Sequence, residues 1–343
     1  MSSAKNPIVS IIIPCRNEKN HIEKTIRNLF GSDFDMNSCE VIVVDGMSDD
    51  DTVELLKKLC VEFPALKIVE NQNQTTPFAF NIGIRNSIGK YVLIVGARHI
   101  ISRNYISGCI EMLDSNDRIA VVGGKVINIY EDKVSKGISL AMNSSFGVGG
   151  GNFRISDTSG PVDTVGTPMY KREVFDIVGL FDEELSRNQD DEFNYRVIRA
   201  GYQIWLNTDI NISYYVRSGI SKLFKQYLQY GYWKVYVNKK LKAVTTTRQL
   251  FPIIFILFLL LYPLVLFFNT TLFWLYPAVL FVYLIFILFY SIKVSSGINS
   301  VTPVTALSFL CLHFGYGIGY LEGIIDFLLL GKKPSVKMKT LTR

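Results

Sequence analysis

The chain has 343 residues, of which 49% are hydrophobic and 19% are charged. These proportions exclude a disordered chain and a basic nucleic-acid tail, and the length predicts about two domains. The formal net charge of +6 conceals three regions, because residues 1–216 carry −6, residues 217–248 carry +8 and residues 249–343 carry +4. We therefore divide the chain into an acidic head, a basic collar (residues 217–248) and a hydrophobic tail.

The head begins with alternating apolar runs and helical patterns. Four runs predict buried strands, at residues 8–13, 40–44, 66–69 and 91–95. Helical patterns lie between them, at residues 20–29, from residue 51 onward and at residues 77–87. This alternation predicts an α/β domain with a mostly parallel central sheet flanked by helices. Ligands of such sheets bind at the carboxyl ends of the strands, so we expect the site there.

The cellular compartment is predicted from two features. The five cysteines form no CxxC pair and no Cys/His cluster, and the first strand follows a short polar stretch without a signal peptide. We therefore expect reduced thiols and a head that stays in the cytoplasm.

The collar contains eight basic residues and no acidic residue, interleaved with Tyr and Trp. Such a segment suits an anionic membrane surface, and the apolar run that follows argues against nucleic acid as a partner. Residues 250–268 and 271–290 are apolar runs of 19 and 20 residues. Each is long enough to cross about 30 Å of hydrocarbon as a helix, with Asn269 and Thr270 as the turn. Arg248 and Lys293 predict cytoplasmic outer ends.

A third apolar segment, residues 304–330, allows two predictions. It contains Glu322 and Asp326, and the tail at residues 331–343 carries five basic residues. If the segment spans, this tail lies outside, against the positive-inside tendency. If the segment is interfacial or re-entrant, the tail stays cytoplasmic. The sequence leaves both arrangements open within the membrane region 249–330.

Several stretches, taken in order, resemble the family 2 glycosyltransferases: PCRNE (14–18), VVDGMSDDDT (43–52), AFNIGIRNSIGKYVLIV (79–95), VGTPMYKREVFDIVGLFDEEL (165–185) and QDDEFNYRVIRAGYQIWLN (189–207). DGMS and the short hydrophobic tail resemble the succinoglycan-biosynthesis glucosyltransferase branch. The resemblance implies a GT-A fold for residues 1–216, with a donor half at about 8–100 and an acceptor half at about 101–216.

The resemblance implies a nucleotide-sugar donor, with UDP as the expected carrier. Asp45 matches the carboxylate that reads uracil, although an Asp there also suits capping of the following turn. Glu18 is expected to reach the ribose hydroxyls, with a plain surface loop as the alternative. The expected donor-binding residues are Pro14, Arg16, Asn17, Glu18, Asp45, Asn81, Gly96, Arg98 and His99.

The main departure from the family follows the fourth strand. Family members usually carry Asp-x-Asp there, whereas this chain has Gly96-Ala97-Arg98-His99. Three interpretations stay open, and no metal ligand is assigned. Mg²⁺ or Mn²⁺ binds through the diphosphate and other ligands, Arg98 and His99 replace the metal, or donor chemistry is lost.

On the acceptor side, Gln189-Asp190-Asp191-Glu192 matches the family's acidic motif. Asp190 falls on the general base, which takes the proton from an incoming hydroxyl. Inversion by single displacement needs one such base and no enzyme nucleophile. Asp191 and Glu192 are expected to support Asp190 or the acceptor, and a structural cluster at a helix N-terminus is the alternative.

The resemblance therefore implies an inverting enzyme at the inner membrane that transfers a sugar to a lipid-linked saccharide. Exopolysaccharide, capsule or O-antigen assembly is the expected setting, with other assembly enzymes as partners. The Gln-x-x-Arg-Trp signature of processive synthases is absent, so we expect one sugar per acceptor. Two alternatives stand: a polyprenyl-phosphate sugar synthase, and a non-catalytic glycosyltransferase-like binding protein.

Overall fold

The computed structural model describes residues 6–149, 153–216, 218–245, 247–266 and 273–339. The predicted turn Asn269–Thr270, the adjoining ends of both apolar runs, Arg217 and residues 340–343 lie outside the described residues. The chain divides into two compact units. The sheet unit comprises residues 1–129 and 151–215, and the helical unit comprises residues 130–150 and 216–343. This differs from the predicted continuous domain 1–216, because residues 130–150 group with the helical unit.

The described part of the sheet unit contains nine strands: β1 (Val9–Cys15), β2 (Cys39–Asp45), β3 (Leu66–Glu70), β4 (Tyr91–Ile94), β5 (His99–Ile101), β6 (Ile119–Ile129), β7 (Gly160–Val162), β8 (Gly166–Lys171) and β9 (Gln203–Tyr215). Their order in the sheet is β3-β2-β1-β4-β8-β6-β9-β5, and β7 pairs with β9.

The α-helices in the described residues are α1 (Ile22–Phe30), α2 (Thr52–Glu62), α3 (Thr76–Arg85), α4 (Tyr105–Ser115), α5 (Lys133–Met142), α6 (Ser145–Val148), α7 (Glu173–Val178), α8 (Gln189–Arg199), α9 (Ile220–Leu241), α10 (Phe251–Leu266), α11 (Leu275–Val294), α12 (Thr302–Gly323) and α13 (Val336–Lys339). Helices α5, α6 and α9–α13 belong to the helical unit.

The predicted α/β fold is confirmed, with one correction to the sheet. Strands β1–β4 are parallel as predicted, but across the described residues four strand pairs are parallel and four are antiparallel. The sheet is therefore mixed. Alternate side chains of β1 enter cores on its two faces: Ile11 and Ile13 on one face, Ile12 on the other. Gly83 lets α3 approach β1, since a Cβ there would lie 2.4 Å from Cγ2 of Ile12.

The described part of the helical unit contains three helices that are long and apolar enough to cross a membrane, by length and composition: Thr247–Leu264, Leu275–Val294 and Thr302–Leu329. Helix α12 continues into a π-helical turn, Ile324–Leu329. The collar differs from the prediction, because Tyr232 and Trp233 are fully buried rather than placed at the surface.

Residues 130–150 join this unit through an aromatic anchor. The ring of Phe146 stacks on Tyr290 at 4.6 Å and meets Phe309 edge-on at 5.0 Å. The carbonyl oxygen of Phe146 lies 2.8 Å from Nε2 of His313. Helix α5 also packs closely on α12, because a Cβ at Gly137 would lie 2.6 Å from Val304. Helices α5 and α6 are thus fixed to α11 and α12.

Candidate active site

Ser48 ties together the loops that follow β1 and β2. These strands pair in register up to Cys15, which lies opposite Asp45. Pro14 is the second-to-last residue of β1. Asp45 is 4% exposed, and its carboxylate accepts hydrogen bonds from the Ser48 backbone N–H (2.9 Å) and hydroxyl (2.6 Å). The Ser48 oxygen accepts from the Asn17 N–H at 2.8 Å. These contacts correspond to the turn-capping alternative, and recognition of a nucleobase by Asp45 stays a prediction.

Two further bonds fix the loop after β1 against the start of α2. Asn17 has a left-handed φ of 54°, a conformation that Asn tolerates. Its amide donates to Oδ1 of Asp49 at 2.7 Å and accepts from the Asp49 N–H at 3.0 Å. The N–H of Glu18 donates to the Thr52 hydroxyl at 2.9 Å. The loop is therefore rigidly placed at the carboxyl edge of the sheet.

Glu18 and Arg98 form an ion pair. The Arg98 Nε lies 2.7 Å from Oε2 of Glu18, and the two side chains are 26% and 14% exposed. The sequence predicts separate contacts for them, with ribose and with diphosphate, whereas the structure joins them to each other. On the same loop, Nε of Arg16 is buried and has no hydrogen-bond partner among the described residues. A buried donor without a partner is costly, so Arg16 is available to a ligand.

His99 lies over Gly96. A Cβ at Gly96 would come within 2.9 Å of the imidazole Cε1, so a larger residue does not fit beneath the ring. The imidazole Nδ1 lies 2.7 Å from Oγ1 of Thr167, and the ring meets Tyr214 edge-on. Burial, with the positive charge of Arg154, lowers the pKa of His99 to about 4. The imidazole is therefore neutral at pH 7.

Thr167 is a site residue that the sequence does not predict. Its φ of 47° is rare for a β-branched residue, and strain of this kind concentrates at functional sites. The residue is 4% exposed, and its carbonyl accepts from the Tyr105 hydroxyl at 2.7 Å. The Tyr105 oxygen accepts in turn from the Gly124 N–H at 2.9 Å. Residue type alone gives no signal for this conformation.

Helix α8 presents Asp190 in its first turn. Asn188 caps the helix with a left-handed φ of 58°, and Asp190 is exposed. Asp191 follows in the same turn and is half-buried. Burial, together with the negative charge of Asp190, raises the pKa of Tyr170, a residue of β8. A carboxylate in this place is accessible to an incoming hydroxyl, as a general base must be.

Glu192 differs from its predicted role. It is 5% exposed and forms a bidentate pair with Arg196, at 2.7 and 2.8 Å. Arg196 also donates to the carbonyl oxygens of Val178 and Leu180. The side chain of Glu192 is thus occupied in fixing the residues after α7, which favours a structural role over an acceptor contact.

Asn81 is likewise occupied by the protein. It is 1% exposed, and its amide donates to the Phe181 carbonyl (2.9 Å) and to Oε1 of Glu183 (2.8 Å). It also accepts from the Phe181 N–H at 3.0 Å. The geometry favours a structural role, in which Asn81 holds α3 against residues 181–183, over the predicted contact with the donor.

Asn194 ties α8 to the stretch that precedes β8. It lies one turn after Asp190, and its Nδ2 donates to the Thr164 hydroxyl at 3.0 Å. It is 4% exposed, and within the described ranges its Oδ1 has no hydrogen-bond partner. Thr164 lies three residues before Thr167, and the Thr167 hydroxyl contacts His99. Residues of both predicted halves therefore meet at one edge of the sheet.

The residues after β4 do not form a carboxylate pair for a divalent metal. Residues 96–99, Gly-Ala-Arg-His, contain no carboxylate, and the ring of His99 lies against Gly96. Among the described residues, no group of three or more His, Cys, Asp or Glu side chains is placed to hold a metal ion. Contact of Arg16, Arg98 and His99 with a diphosphate stays a prediction.

Comparison with known proteins places this arrangement in a family. Residues 10–179 match the family described as "Glycosyl transferase family 2". A relative from Methanococcus voltae is 30% identical over 331 residues, covering 93% of this chain and 99% of its own length. The chain belongs to glycosyltransferase family 2. The M. voltae protein is named dolichyl N-acetyl-alpha-D-glucosaminyl phosphate 3-beta-D-2,3-diacetamido-2,3-dideoxy-beta-D-glucuronosyltransferase.

Two further similarities concern a second relative and a solved structure. The succinoglycan biosynthesis protein ExoA of Rhizobium meliloti (strain 1021) is 27% identical over 326 residues, covering 92% of this glycosyltransferase and 95% of ExoA. Among solved structures, the mannosyltransferase PcManGT from Pyrobaculum calidifontis, in complex with GDP-Man and Mn²⁺, has a TM-score of 0.53. The match is 18% identical and covers 68% of this chain and 65% of that one, which shows the GT-A fold alone.

Proposed function

We propose that this glycosyltransferase moves one sugar, with inversion, from a nucleotide-sugar to a saccharide already linked to a membrane lipid. One observation carries the choice of acceptor. The M. voltae relative, aligned over 99% of its length, is named for transfer to a sugar on dolichyl phosphate. That name favours a lipid-linked saccharide over a bare polyprenyl phosphate. The setting is polysaccharide assembly at the cytoplasmic face of the inner membrane, beside other assembly enzymes.

Asp190 is the general base in this proposal. Its exposed carboxylate takes the proton from the acceptor hydroxyl while that oxygen attacks the anomeric carbon. The nucleotide diphosphate leaves from the opposite face of the sugar, so a single displacement inverts the configuration. Asp191, in the same helical turn, orients the acceptor. Asn194 positions α8 through its bond to Thr164, three residues before Thr167, whose hydroxyl contacts His99 of the donor half.

The donor lies along the loops after β1, β2 and β4. Asp45 reads the nucleobase, for which UDP is the expected carrier, and Glu18 contacts the ribose. Arg16 and Arg98 stabilise the leaving diphosphate as fixed cations. A divalent metal would neutralise diphosphate charge when bound, but the described residues provide no cluster of carboxylate ligands for it.

Titration calorimetry on the detergent-solubilised protein tests the donor assignment. The ligands are UDP, GDP and dTDP, each with Mn²⁺, with Mg²⁺ and with EDTA. If UDP binds equally well in EDTA, the result supports neutralisation of the diphosphate by the arginines in place of a metal. If binding requires Mn²⁺ or Mg²⁺, the ion supplies the positive charge that neutralises the diphosphate. Absence of nucleotide binding under every condition overturns the proposal in favour of a non-catalytic member.

A product assay tests the acceptor. The enzyme receives UDP-sugars with either a polyprenyl-diphosphate monosaccharide or polyprenyl phosphate alone. We expect one added sugar on the first acceptor and none on the second. Product on the bare phosphate identifies a polyprenyl-phosphate sugar synthase, and a ladder of products contradicts single transfer.

A further inference from the structure

Met47 combines a left-handed backbone with an exposed apolar side chain. Its φ is 57°, a conformation that bulky residues rarely adopt and that glycine adopts without steric cost. The residue is 44% exposed, so its side chain contributes little to a hydrophobic core. Neither the backbone geometry nor burial therefore accounts for a methionine at this position. Strained positions persist where the surrounding structure enforces them, and they concentrate at ligand sites.

Hydrogen bonds on both sides hold Met47 in this conformation. The Gly46 N–H donates to the carbonyl oxygen of Cys15 at 2.7 Å. On the other side, Ser48 donates to the Asp45 carboxylate through both its backbone N–H and its hydroxyl. Met47 therefore lies at the tip of a turn whose two ends are fixed. A rigid backbone carries the exposed side chain, so ordering of this loop adds little to the cost of binding a ligand.

The turn lies where a sheet of this kind binds its ligand. It follows β2 directly, and ligands of parallel sheets bind outside the carboxyl ends of the strands. The loop after β1 packs against it, since a Cβ at Gly46 would lie 3.3 Å from Cβ and Cδ of Arg16. The residues after β3 also join it, because the Asn71 N–H donates to the Asp45 carbonyl oxygen at 2.7 Å. Segments that follow three neighbouring strands therefore meet at this turn.

Asp45 keeps hydrogen-bonding capacity beyond the turn. Each carboxylate oxygen has two lone pairs, and Ser48 occupies one on each oxygen. Among the described residues no further donor fills the other two positions, which can accept from an N–H of a nucleobase. A base held there by its edge also needs an apolar surface against its flat face. Met47 is the exposed apolar residue of the same turn, two residues after Asp45.

We propose that the Met47 thioether packs on the face of the donor's nucleobase while Asp45 accepts a hydrogen bond from the edge of that base. The inference rests on the proposed function, because it requires a nucleotide in this site. Methionine suits the contact, since its side chain is unbranched and its polarizable sulfur is favourable beside an aromatic ring. Every base has a π-face, so the contact does not distinguish between bases. Met47 therefore contributes affinity for the nucleoside, and selection among nucleobases stays with Asp45.

Titration calorimetry of UDP binding to the full-length, detergent-solubilised protein tests this contact. Met47→Ala removes the thioether, and we expect it to weaken UDP binding by about 3- to 10-fold. Met47→Leu keeps a similar apolar volume and should bind UDP within about twofold of the wild type. Ile88→Ala is the matched control, because Ile88 is 65% exposed and precedes β4, at the opposite edge of the sheet. Wild-type affinity in Met47→Ala overturns the proposal.

Competition against UDP separates the base from the diphosphate. Uridine and inorganic diphosphate are each used to displace UDP from the wild type and from Met47→Ala. We expect the substitution to weaken uridine by the same factor as UDP and to leave the affinity for inorganic diphosphate unchanged. Equal weakening of both competitors would show that the substitution disturbs the whole site, and the proposal would be wrong.

Met47→Gly separates the contact from a structural role of the side chain. Glycine relieves the left-handed backbone, so we expect the midpoint of thermal unfolding to stay the same or to rise. The affinity for UDP should nevertheless fall as it does in Met47→Ala. A lower midpoint together with weaker binding would assign the effect to a damaged loop and contradict the proposal.

A spectroscopic signal reports on the contact directly. The S-methyl groups of methionine are labelled with ¹³C, and the Met47 signal is assigned by its absence from Met47→Leu. A base packed on the thioether shifts this signal through its ring current, so UDP should move it and inorganic diphosphate should not. An unmoved signal in the presence of bound UDP overturns this inference alone. If no nucleotide binds to the wild type, the proposed function fails as well.

Discussion

His99 occupies the space that a side chain at Gly96 would need. A Cβ at position 96 would lie 2.9 Å from Cε1, 3.0 Å from Nε2 and 3.1 Å from Nδ1 of the imidazole. A side chain at position 96 would therefore have to displace the imidazole. An acid at position 96 and the observed position of the ring exclude each other.

The first prediction concerns this pair. Gly96→Ala should displace the imidazole from Thr167 and destabilise the protein by about 1–3 kcal/mol, because a tightly packed site resists added volume. UDP affinity should fall as well. Thermal unfolding and calorimetry measure both effects. Gly160→Ala is the control, since a Cβ there meets nothing within 4 Å. Equal behaviour of the two variants would show that the ring moves freely.

The second prediction is a dependence of stability on pH. The pKa of His99 is lowered to about 4 in the folded protein, so the unfolded chain binds its proton more readily. The contribution of His99 to the free energy of unfolding is complete above the ordinary pKa of about 6.5 and declines as the pH falls toward 4. Between pH 7 and pH 5 the expected loss is about 2 kcal/mol.

The measurement is the unfolding midpoint of the wild type and of His99→Gln at both pH values. Gln keeps a polar group near Thr167 but does not titrate in this range. We expect the wild type to lose more stability on acidification than the variant. Parallel losses would assign the pH dependence to other groups.

The third prediction concerns Asp190. Asp190→Asn should lower kcat by at least about 100-fold, because the amide cannot accept the acceptor proton. The affinity for UDP should change little, since the proposed base contacts the acceptor. Asp117→Asn is the matched control, on a fully exposed side chain. Turnover of Asp190→Asn close to that of the control removes Asp190 from the role of base.

The fourth prediction separates structure from catalysis at Glu192. Glu192→Gln breaks a buried pair with Arg196 and should cost about 2–3 kcal/mol of stability, with kcat kept at low temperature. Glu23→Gln breaks the same i,i+4 arrangement with Arg27 on an exposed surface, and we expect about 0.5 kcal/mol or less. A loss of kcat in Glu192→Gln without a loss of stability would restore the acceptor role.

Sequence patterns located the first half of the fold well. Strands β1–β4 and helices α1 and α3 begin and end within two residues of their predicted bounds, and α2 begins one residue after its predicted start. Parallel strands buried on both faces produce continuous apolar runs, and these are easy to recognise. The mixed second half of the sheet was not predicted. Strand β6 pairs with β9, some eighty residues later in the chain, and a local sequence pattern does not indicate which distant strand is the partner.

The site was only partly accessible from the sequence. The motifs directed attention to Glu18, Arg98 and Asp190, but the ion pair between Glu18 and Arg98 depends on two loops eighty residues apart. Thr167 and Asn194 were missed, because a strained backbone and a buried amide oxygen without a partner among the described residues are properties of the folded chain. The collar was misplaced for a similar reason. Its lysines and aromatics suggested a surface segment, whereas the glycines of α12 allow that helix to bury Tyr232 and Trp233.

The anchoring of Phe146 imposes an order on biosynthesis. Its partners Tyr290, Phe309 and His313 leave the ribosome more than 140 residues later. Until then, α5 and α6 have no surface to cover their apolar side chains. A truncated gene product that ends at residue 216, the usual choice for a soluble catalytic fragment, would keep this exposed surface permanently. We therefore expect such a fragment to aggregate or to recruit chaperones, and a fragment that also replaces residues 133–148 with a short polar linker to be the better starting point for crystallisation.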